Sequence, residues 1–243
     1  MRETPADIDI ITWCNDFDQW NNILLSYLHP IWGFQRGTEE LAIDFIRVDP
    51  EDGCTNMGEA YEFGRAQSTA PIRCYFHQDA TVTDPSFYLK LQAVAKLQRV
   101  GAYGFVGSTI DTGASWMHCP QDKSVGILFA RDASNFTSPE YAPVKLVDGY
   151  GFVTMPVAKD IPWPTDYPSV HMVVEDMCMR IREQGLGIWT LDSSTYHKSQ
   201  GTVDEAYWAS VDIFHERWRR QMEGGVSTPE KLRREFEKYQ SSL

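Results

Sequence analysis

The sequence predicts an α/β fold with a mostly parallel central sheet flanked by helices. In the first half of the chain, short apolar runs rich in β-branched residues alternate with segments whose apolar residues recur at helical spacing. This β-α-β order is typical of parallel strands joined by crossover helices, which cover both faces of a sheet. A chain of 243 residues has the length of one such domain with at most a small extension.

The alternation defines strands and intervening helices up to residue 106. Strands are predicted at residues 8–12, 41–48, 72–76 and 101–106. Apolar residues at helical spacing from Trp20 to Leu28 indicate the first helix. Thr55 is a candidate N-cap for a second helix that runs to about Gln67, and Asp84 followed by Pro85 opens a third.

The second half of the chain alternates less regularly. The predicted segments are a polar loop at 107–124, strands within 143–155, an irregular proline-containing connection at 157–168, a helix at 170–184 and a strand at 187–191. Two polar amphipathic helices follow. We expect residues 1–222 to form a single domain and residues 223–243 to form a C-terminal helical extension.

Charge and composition exclude several classes of protein. A net charge of −12 argues against nucleic acid as a partner, because polyanions repel each other. The five cysteines are widely spaced, odd in number and without a CxxC pair, which favours a reducing, cytoplasmic location. The longest apolar run is too short for a transmembrane helix, so no integral membrane segment is expected.

Polar residues follow the third strand, where a parallel sheet binds its ligands. The apolar run at 72–76 leads directly into His77-Gln78-Asp79. A carboxylate in this position can hold Mg²⁺ or Mn²⁺, and the alternative is an aspartate that begins a turn. His197 follows a later strand, where a neutral imidazole could complete a divalent site or simply pack inside the protein.

Two further acidic positions are candidates for chemistry. Glu175 and Asp176 lie early in a predicted helix, where a carboxylate could remove a proton from an acceptor or only complement the helix dipole. Asp148-Gly149 interrupts an apolar stretch, and it is either a turn or a carboxylate that faces a substrate cleft.

The order of these segments resembles the glycosyltransferase family 2-like group with the GT-A fold, in particular a small subset with His-Gln-Asp where relatives have Asp-x-Asp. The matching segments are IDIITWCND at 8–16, IRVDPEDGCTNMGEAYEFGRAQ at 46–67, CYFHQDATVTDPSFY at 74–88, VGAYGFVGS at 100–108, KLVDGYGFVTMP at 145–156 and VHMVVEDMCMRIREQGLGIWTLDSSTYHKSQG at 170–201.

The resemblance implies a nucleotide-binding half followed by an acceptor-binding half. It implies the following roles: metal binding for Asp79 and His197; contacts with the nucleotide-sugar for Thr12, Asn15, Asp49, Arg65, His77, Gln78, Asp148 and Gly149; the general base for Asp176, with Glu175 as the competing assignment; and stacking on an acceptor sugar for Trp116.

The reaction implied by the resemblance is an inverting transfer from a nucleoside-diphosphate sugar to a hydroxyl of a glycan or glycoconjugate, assisted by Mn²⁺ or Mg²⁺. The chain departs from the family pattern because His77 replaces the first aspartate and Glu62 stands where relatives often have Asn. The lone carboxylate leaves open a non-catalytic binding protein with the same fold. A sugar nucleotidyltransferase is less well supported, because residues 13–16 lack its Gly- and Lys-containing phosphate loop.

Overall fold

The computed structural model describes residues 6–26, 28, 42–115, 118–131, 134–138, 141–198, 202–222 and 226–240. Within this part of the chain the strands are β1 (Ile8–Trp13), β2 (Ile43–Val48), β3 (Ile72–Phe76), β4 (Ala80–Val82), β5 (Val100–Gly104), β6 (Gly107–Ser108), β7 (Ser124–Val125), β8 (Ile127–Arg131), β9 (Ser134–Ser138), β10 (Pro143–Val144), β11 (Leu146–Val147), β12 (Gly151–Thr154), β13 (Gly187–Thr190) and β14 (Thr195–His197).

The helices cover the faces of the sheet. They are α1 (Met57–Gln67), α2 (Phe87–Val94), α3 (Val173–Glu183), α4 (Glu205–Trp218) and α5 (Pro229–Gln240). A helical turn at Phe17–Gln19 continues as a π-helix at Trp20–Leu25, where an α-helix was predicted from the apolar spacing. Among the described residues, no helix is both long and apolar enough to span a bilayer.

A seven-stranded sheet in the order β10-β13-β5-β12-β3-β1-β2 forms the centre of the domain. Strands β1, β2 and β3 are parallel, as are β5 and β13, whereas β12 runs antiparallel between β3 and β5. Since β3 and β5 both run antiparallel to β12, they run in the same direction. Strand β10 is the second antiparallel strand of this sheet. The prediction of a mostly parallel α/β sheet is therefore confirmed.

The direction of β12 decides which residues meet. The carboxyl ends of β1, β2 and β3 lie at one edge of the sheet, and the amino end of the antiparallel β12 lies at the same edge. Residues 148–150 therefore join the residues that follow β3. A smaller sheet, in the order β4-β14-β9-β8, adds His197 to this edge because β14 pairs with β4 in a register that sets His197 opposite Ala80.

Two hydrophobic clusters, one on each face of the sheet, form the core. One contains alternate residues of β1 such as Ile8 and Ile10 with α2, and the other contains Ile11 with α1, α3 and α4. This division follows from the two-residue period of strand side chains. Helix α1 lies close to β1 at Gly64, where an added Cβ would come within 2.4 Å of Ile11 Cγ2.

Several predicted boundaries moved for local reasons. Asn56 rather than Thr55 is the N-cap of α1, because its side chain accepts a hydrogen bond from the Glu59 amide while Thr55 binds the Glu59 carboxylate. Helix α3 begins at Val173 rather than residue 170. The β8–β9 hairpin was not predicted from the sequence.

The C-terminal helix α5 packs against α4, inside the segment predicted to be an extension. Leu232 is buried, and the Phe236 ring lies 6.1 Å from that of Trp208. Arg233 forms an ion pair with Glu205 at the start of α4. The one-sided pattern of apolar residues in α5 is therefore explained by this contact.

We expect Gly58→Ala to destabilise the protein, although Ala is normally favoured over Gly in a helix by about 1 kcal/mol. A Cβ at Gly58 would lie 1.9 Å from the carbonyl oxygen of Pro164, so backbone must move. The expected loss in free energy of unfolding is about 1–3 kcal/mol, measured by urea denaturation. Ala66→Gly is the control variant. Ala66 lies on the exposed side of the same helix, so its exchange with Gly measures the effect of helix propensity without the close contact. A stabilised Gly58→Ala variant would contradict this packing.

Candidate metal and donor site

Two histidines and one aspartate converge at the carboxyl edge of the sheet. His77 and Asp79 follow β3, and His197 ends β14. One ligand atom of each lies within 4.8 Å of the others, and His197 Nε2 is 3.5 Å from Asp79 Oδ1. His197 is more than a hundred positions away from His77 and Asp79 in sequence. The pairing of β14 with β4 brings it next to them.

The chemistry of this donor set fits a divalent transition metal. His77 Nε2 is buried and has no hydrogen-bond partner in the described part of the protein. Burial, and then the neighbouring charge of His197, lower the pKa of His77 to about 3, so its imidazole is neutral at neutral pH. Neutral imidazole is the form that binds metals, and an unsatisfied buried nitrogen is costly unless it has a ligand.

His197 is held in place by an aromatic neighbour. The Tyr150 ring stacks on it with centroids 4.9 Å apart and an interplanar angle of 18°. The Tyr150 hydroxyl is 2.9 Å from Thr195 Oγ1, which ties the start of β12 to β14. Asp148 lies nearby: burial raises the pKa of its carboxyl group, and the charge of His197 opposes that rise.

Gln78 and Asn15, both predicted to contact the nucleotide-sugar, bind each other. The Gln78 amide oxygen accepts hydrogen bonds from the backbone amides of Asn15 and Asp16 at 2.8 and 2.9 Å. Gln78 Nε2 donates to Asn15 Oδ1 at 2.6 Å. The middle residue of the His-Gln-Asp motif therefore joins the loop after β1 to the loop after β3.

Thr12 and Asp49 also lie at the carboxyl edge, at the ends of β1 and β2. Thr12 Oγ1 is buried without a hydrogen-bond partner among the described residues. Asp49 forms an ion pair with Arg47 at 2.7 Å. The Arg47 guanidinium lies 5.0 Å from the Phe17 ring centroid and 5.2 Å from that of Trp20, an arrangement that the sequence patterns did not suggest.

Arg65, another predicted site residue, lies elsewhere. Arg65 is in the last turn of α1, which runs from the carboxyl end of β2 to the amino end of β3, and its guanidinium binds Glu62 at 2.6 Å. The structure does not bring it to the carboxyl edge. Glu62, which stands where relatives often have Asn, also accepts a hydrogen bond from the Trp163 amide. These contacts give the glutamate a structural role at this position. Trp116 lies outside the described residues.

Asp176, the predicted general base, is surrounded by hydrogen-bond donors. Tyr167 Oη and Trp218 Nε1 donate to Asp176 Oδ2 at 2.7 and 2.8 Å, and Arg217 donates to the same oxygen. Arg180 Nε donates to Oδ1. The carboxylate is fully buried, and the groups that donate to its two oxygens stabilise its charge. These contacts join α3 to α4, and the role of Asp176 as general base stays a prediction.

The competing candidate, Glu175, points to a different neighbourhood. It is only 4% exposed. Burial, and to a smaller extent the charge of Glu175, raise the pKa values of Tyr207 on α4 and Cys178 on α3. Its role as a base stays a prediction.

We expect Asp176→Asn to lower the free energy of unfolding by about 3–5 kcal/mol, because it leaves the charges of Arg180 and Arg217 without a buried partner. Asp166→Asn is the matched control: Asp166 also binds Arg217, but its side chain is 56% exposed, so the expected loss is below about 1 kcal/mol. Urea denaturation measures both. If Asp176→Asn kept wild-type stability and lost only activity, the result would favour the predicted catalytic role over a structural one.

Solved structures with a similar fold are glycosyltransferases. GalNAc-T7 with UDP, GalNAc and Mn²⁺ matches with a TM-score of 0.57 and 9% identity over 89% of this chain and 49% of that one. The mannosyltransferase PcManGT of Pyrobaculum calidifontis, in complex with GDP-Man and Mn²⁺, matches with a TM-score of 0.52 and 10% identity over 93% of this chain and 67% of that one.

A third structure, residues 1–349 of TarS from S. aureus, has a TM-score of 0.52 and 9% identity over 93% of this chain and 69% of that one. This chain thus spans about half the length of the GalNAc-T7 chain and about two thirds of the other two. No curated protein matches the chain. The structural neighbours confirm the GT-A fold predicted from the sequence. A family model described as "Glycosyltransferase like family" matches residues 9–221, and the chain therefore belongs to this glycosyltransferase-like family.

Proposed function

We propose that this chain transfers a sugar from a nucleoside-diphosphate sugar to an acceptor hydroxyl of a glycan or glycoconjugate, with inversion at the anomeric carbon. The observation that carries the proposal is the convergence of His77, Asp79 and His197 at the carboxyl edge of a GT-A sheet. Ligands of open α/β sheets bind at this edge. A cytoplasmic location, suggested by five free cysteines, is part of the proposal.

His77, Asp79 and His197 would hold a divalent ion, whose charge would stabilise the departing nucleoside diphosphate. Two of these three ligands are imidazoles, and Mg²⁺ prefers ligands that are all oxygen. We therefore propose Mn²⁺ as the working ion. The similar structures of GalNAc-T7 and PcManGT contain Mn²⁺.

The remaining residues of this edge suggest how the donor is placed. The proposed position of the nucleotide is across the ends of β1 and β2, where Thr12 has an unused hydroxyl and Asp49 can accept a hydrogen bond from the base or ribose. Asp148 and Gly149, next to His197, would border the donor sugar. Gln78 would act by holding the two loops in register, and Arg65 has no proposed contact with the donor.

The non-catalytic alternative loses its main support. It rested on the single carboxylate of the His-Gln-Asp motif, but His197 comes from β14 to supply a third ligand position. A site that retains three convergent metal ligands, one of them a buried nitrogen without a partner, favours a protein that binds its cofactor. The sugar nucleotidyltransferase remains the less well supported alternative, and an assay for that activity serves as a control.

We expect Mn²⁺ together with UDP or GDP to raise the thermal stability of the wild-type protein, because a ligand that binds only the folded state stabilises it by mass action. At a ligand concentration of 100 times Kd the gain is about 2.7 kcal/mol. Mg²⁺ at the same concentration should give a smaller shift. Differential scanning fluorimetry with each nucleotide, with and without each ion, measures these shifts.

Asp79→Asn should remove the part of the shift that depends on Mn²⁺. Asp9→Asn is the matched control, because Asp9 is also a buried aspartate of the same sheet but lies near the amino end of β1, where Ser68 donates to it. This control variant should keep the full shift. A wild-type protein that responds to no nucleotide, or an Asp79→Asn variant with an unchanged response to Mn²⁺, would contradict the proposed function.

A further inference from the structure

One arginine and two aromatic rings form a continuous surface at the carboxyl edge of the sheet. Arg47 lies near the carboxyl end of β2, in register with Thr12 of β1. Its Cζ atom is 5.0 Å from the centroid of the Phe17 ring and 5.2 Å from that of Trp20. The two ring centroids are 5.6 Å apart, at an interplanar angle of 36°. Phe17, Trp20 and Arg47 are called the Arg47 surface below.

A hydrogen bond connects the Arg47 surface to the metal-binding motif. The backbone amide of Asp16, the residue before Phe17, donates to Gln78 Oε1 at 2.9 Å, and Gln78 is the middle residue of the His-Gln-Asp motif. Strand β1 lies between β2 and β3, so the end of β2 and the motif after β3 are two strand spacings apart, roughly 10 Å. An extended nucleoside diphosphate can bridge this span, with its base on the Arg47 surface and its phosphates at the metal ligands.

Phe17 is more exposed than a residue that serves packing alone. Its ring is 56% exposed, and an apolar side chain stabilises a fold through the area that it buries. The segment continues as a π-helix at Trp20–Leu25, and π-helices are rare and frequently occur at functional sites. An exposed ring beside a guanidinium offers a face for a planar group, and nucleobases stack on such rings.

Asp49 holds the Arg47 guanidinium in one orientation. Arg47 Nε and Nη2 donate to Asp49 Oδ2 at 3.0 and 2.7 Å, and these bonds use one edge of the guanidinium. The next edge presents one N–H of Nη1 and one of Nη2 side by side, and no described residue accepts a hydrogen bond from it. A fixed fork of two donors fits a ligand that offers two neighbouring acceptors.

Guanine offers such a pair of acceptors. Its O6 and N7 atoms are neighbours on one edge, and they form the commonest specific contact of arginine with a base. Adenine has a donor beside N7, and an N–H separates the two carbonyl oxygens of uracil. Cytosine has neighbouring acceptors, O2 and N3, but O2 lies beside the ribose, and its single ring covers less of an aromatic surface than a purine does.

We propose that Phe17, Trp20 and Arg47 bind guanine, which makes the donor a GDP-sugar. The base stacks on the exposed Phe17 ring, and the free edge of the Arg47 guanidinium donates to O6 and N7. Asp49 acts on the base through Arg47, because it sets the direction of the fork. This inference rests on the proposed function and names the donor class.

Isothermal titration calorimetry of the full chain with Mn²⁺ and GDP, UDP, CDP or ADP tests the inference. The wild type should bind GDP about tenfold or more tightly than each of the other three nucleotides. Arg47→Lys keeps the positive charge but loses the fork of two donors. Its Kd for GDP should therefore rise about 10–100-fold, and its preference for GDP over UDP should disappear.

Phe17→Ala tests the stacking contact. The side chain is largely exposed, so the fold should not depend on it, and the Kd for GDP should rise about 10–100-fold. Arg233→Lys is the matched control, because Arg233 also pairs with a carboxylate, that of Glu205, and lies 5.9 Å from the Trp208 ring centroid, but on α5. Its Kd values should equal those of the wild type.

The outcomes separate this inference from the proposed function. A wild type that binds UDP, CDP or ADP as tightly as GDP would overturn the inference and leave the proposed function standing. An Arg47→Lys variant that keeps the preference for GDP, or a Phe17→Ala variant with an unchanged Kd, would overturn it as well. If the wild type bound none of the four nucleotides with Mn²⁺, the proposed function itself would fail.

Discussion

The geometry of the site depends on one antiparallel strand within an otherwise mostly parallel sheet. Because β12 runs against β3 and β5, the loop before it reaches the edge where the parallel strands end. Tyr150 in this loop stacks on His197, and Gly149 lies against α3. A parallel strand in the same position would place this loop at the opposite edge. The residues before β12 would then not lie beside His77, Asp79 and His197, the candidate metal ligands.

Asp176 shows how one residue type can serve chemistry or architecture at the same position of a helix. A carboxylate early in α3 is well placed to act on a ligand, and that position suggested a general base. The structure surrounds it with Arg180, Arg217, Tyr167 and Trp218, and a buried charge requires such partners. Arg217 and Trp218 lie about forty residues away in sequence, so no local pattern could reveal them.

Sequence patterns predicted well what depends on local periodicity. The strands β1, β3 and β13, the helix α1, and the placement of His77 and Asp79 after β3 follow from apolar runs and from the polar residues that end them. The positive φ of Met172 escaped prediction because the sequence carries no recognisable turn signal at this position. The mutual binding of Gln78 and Asn15 was missed because it joins two loops 63 residues apart.

That last contact has a consequence for the thermodynamics of ligand binding. Three hydrogen bonds make the loop after β1 and the loop after β3 a single unit. Two independent loops would each lose conformational freedom when a ligand immobilised them, and that loss would weaken its affinity. In this protein the loops lose their conformational freedom when the chain folds. A ligand that spans both loops therefore meets a preorganised surface and keeps more of its intrinsic binding energy.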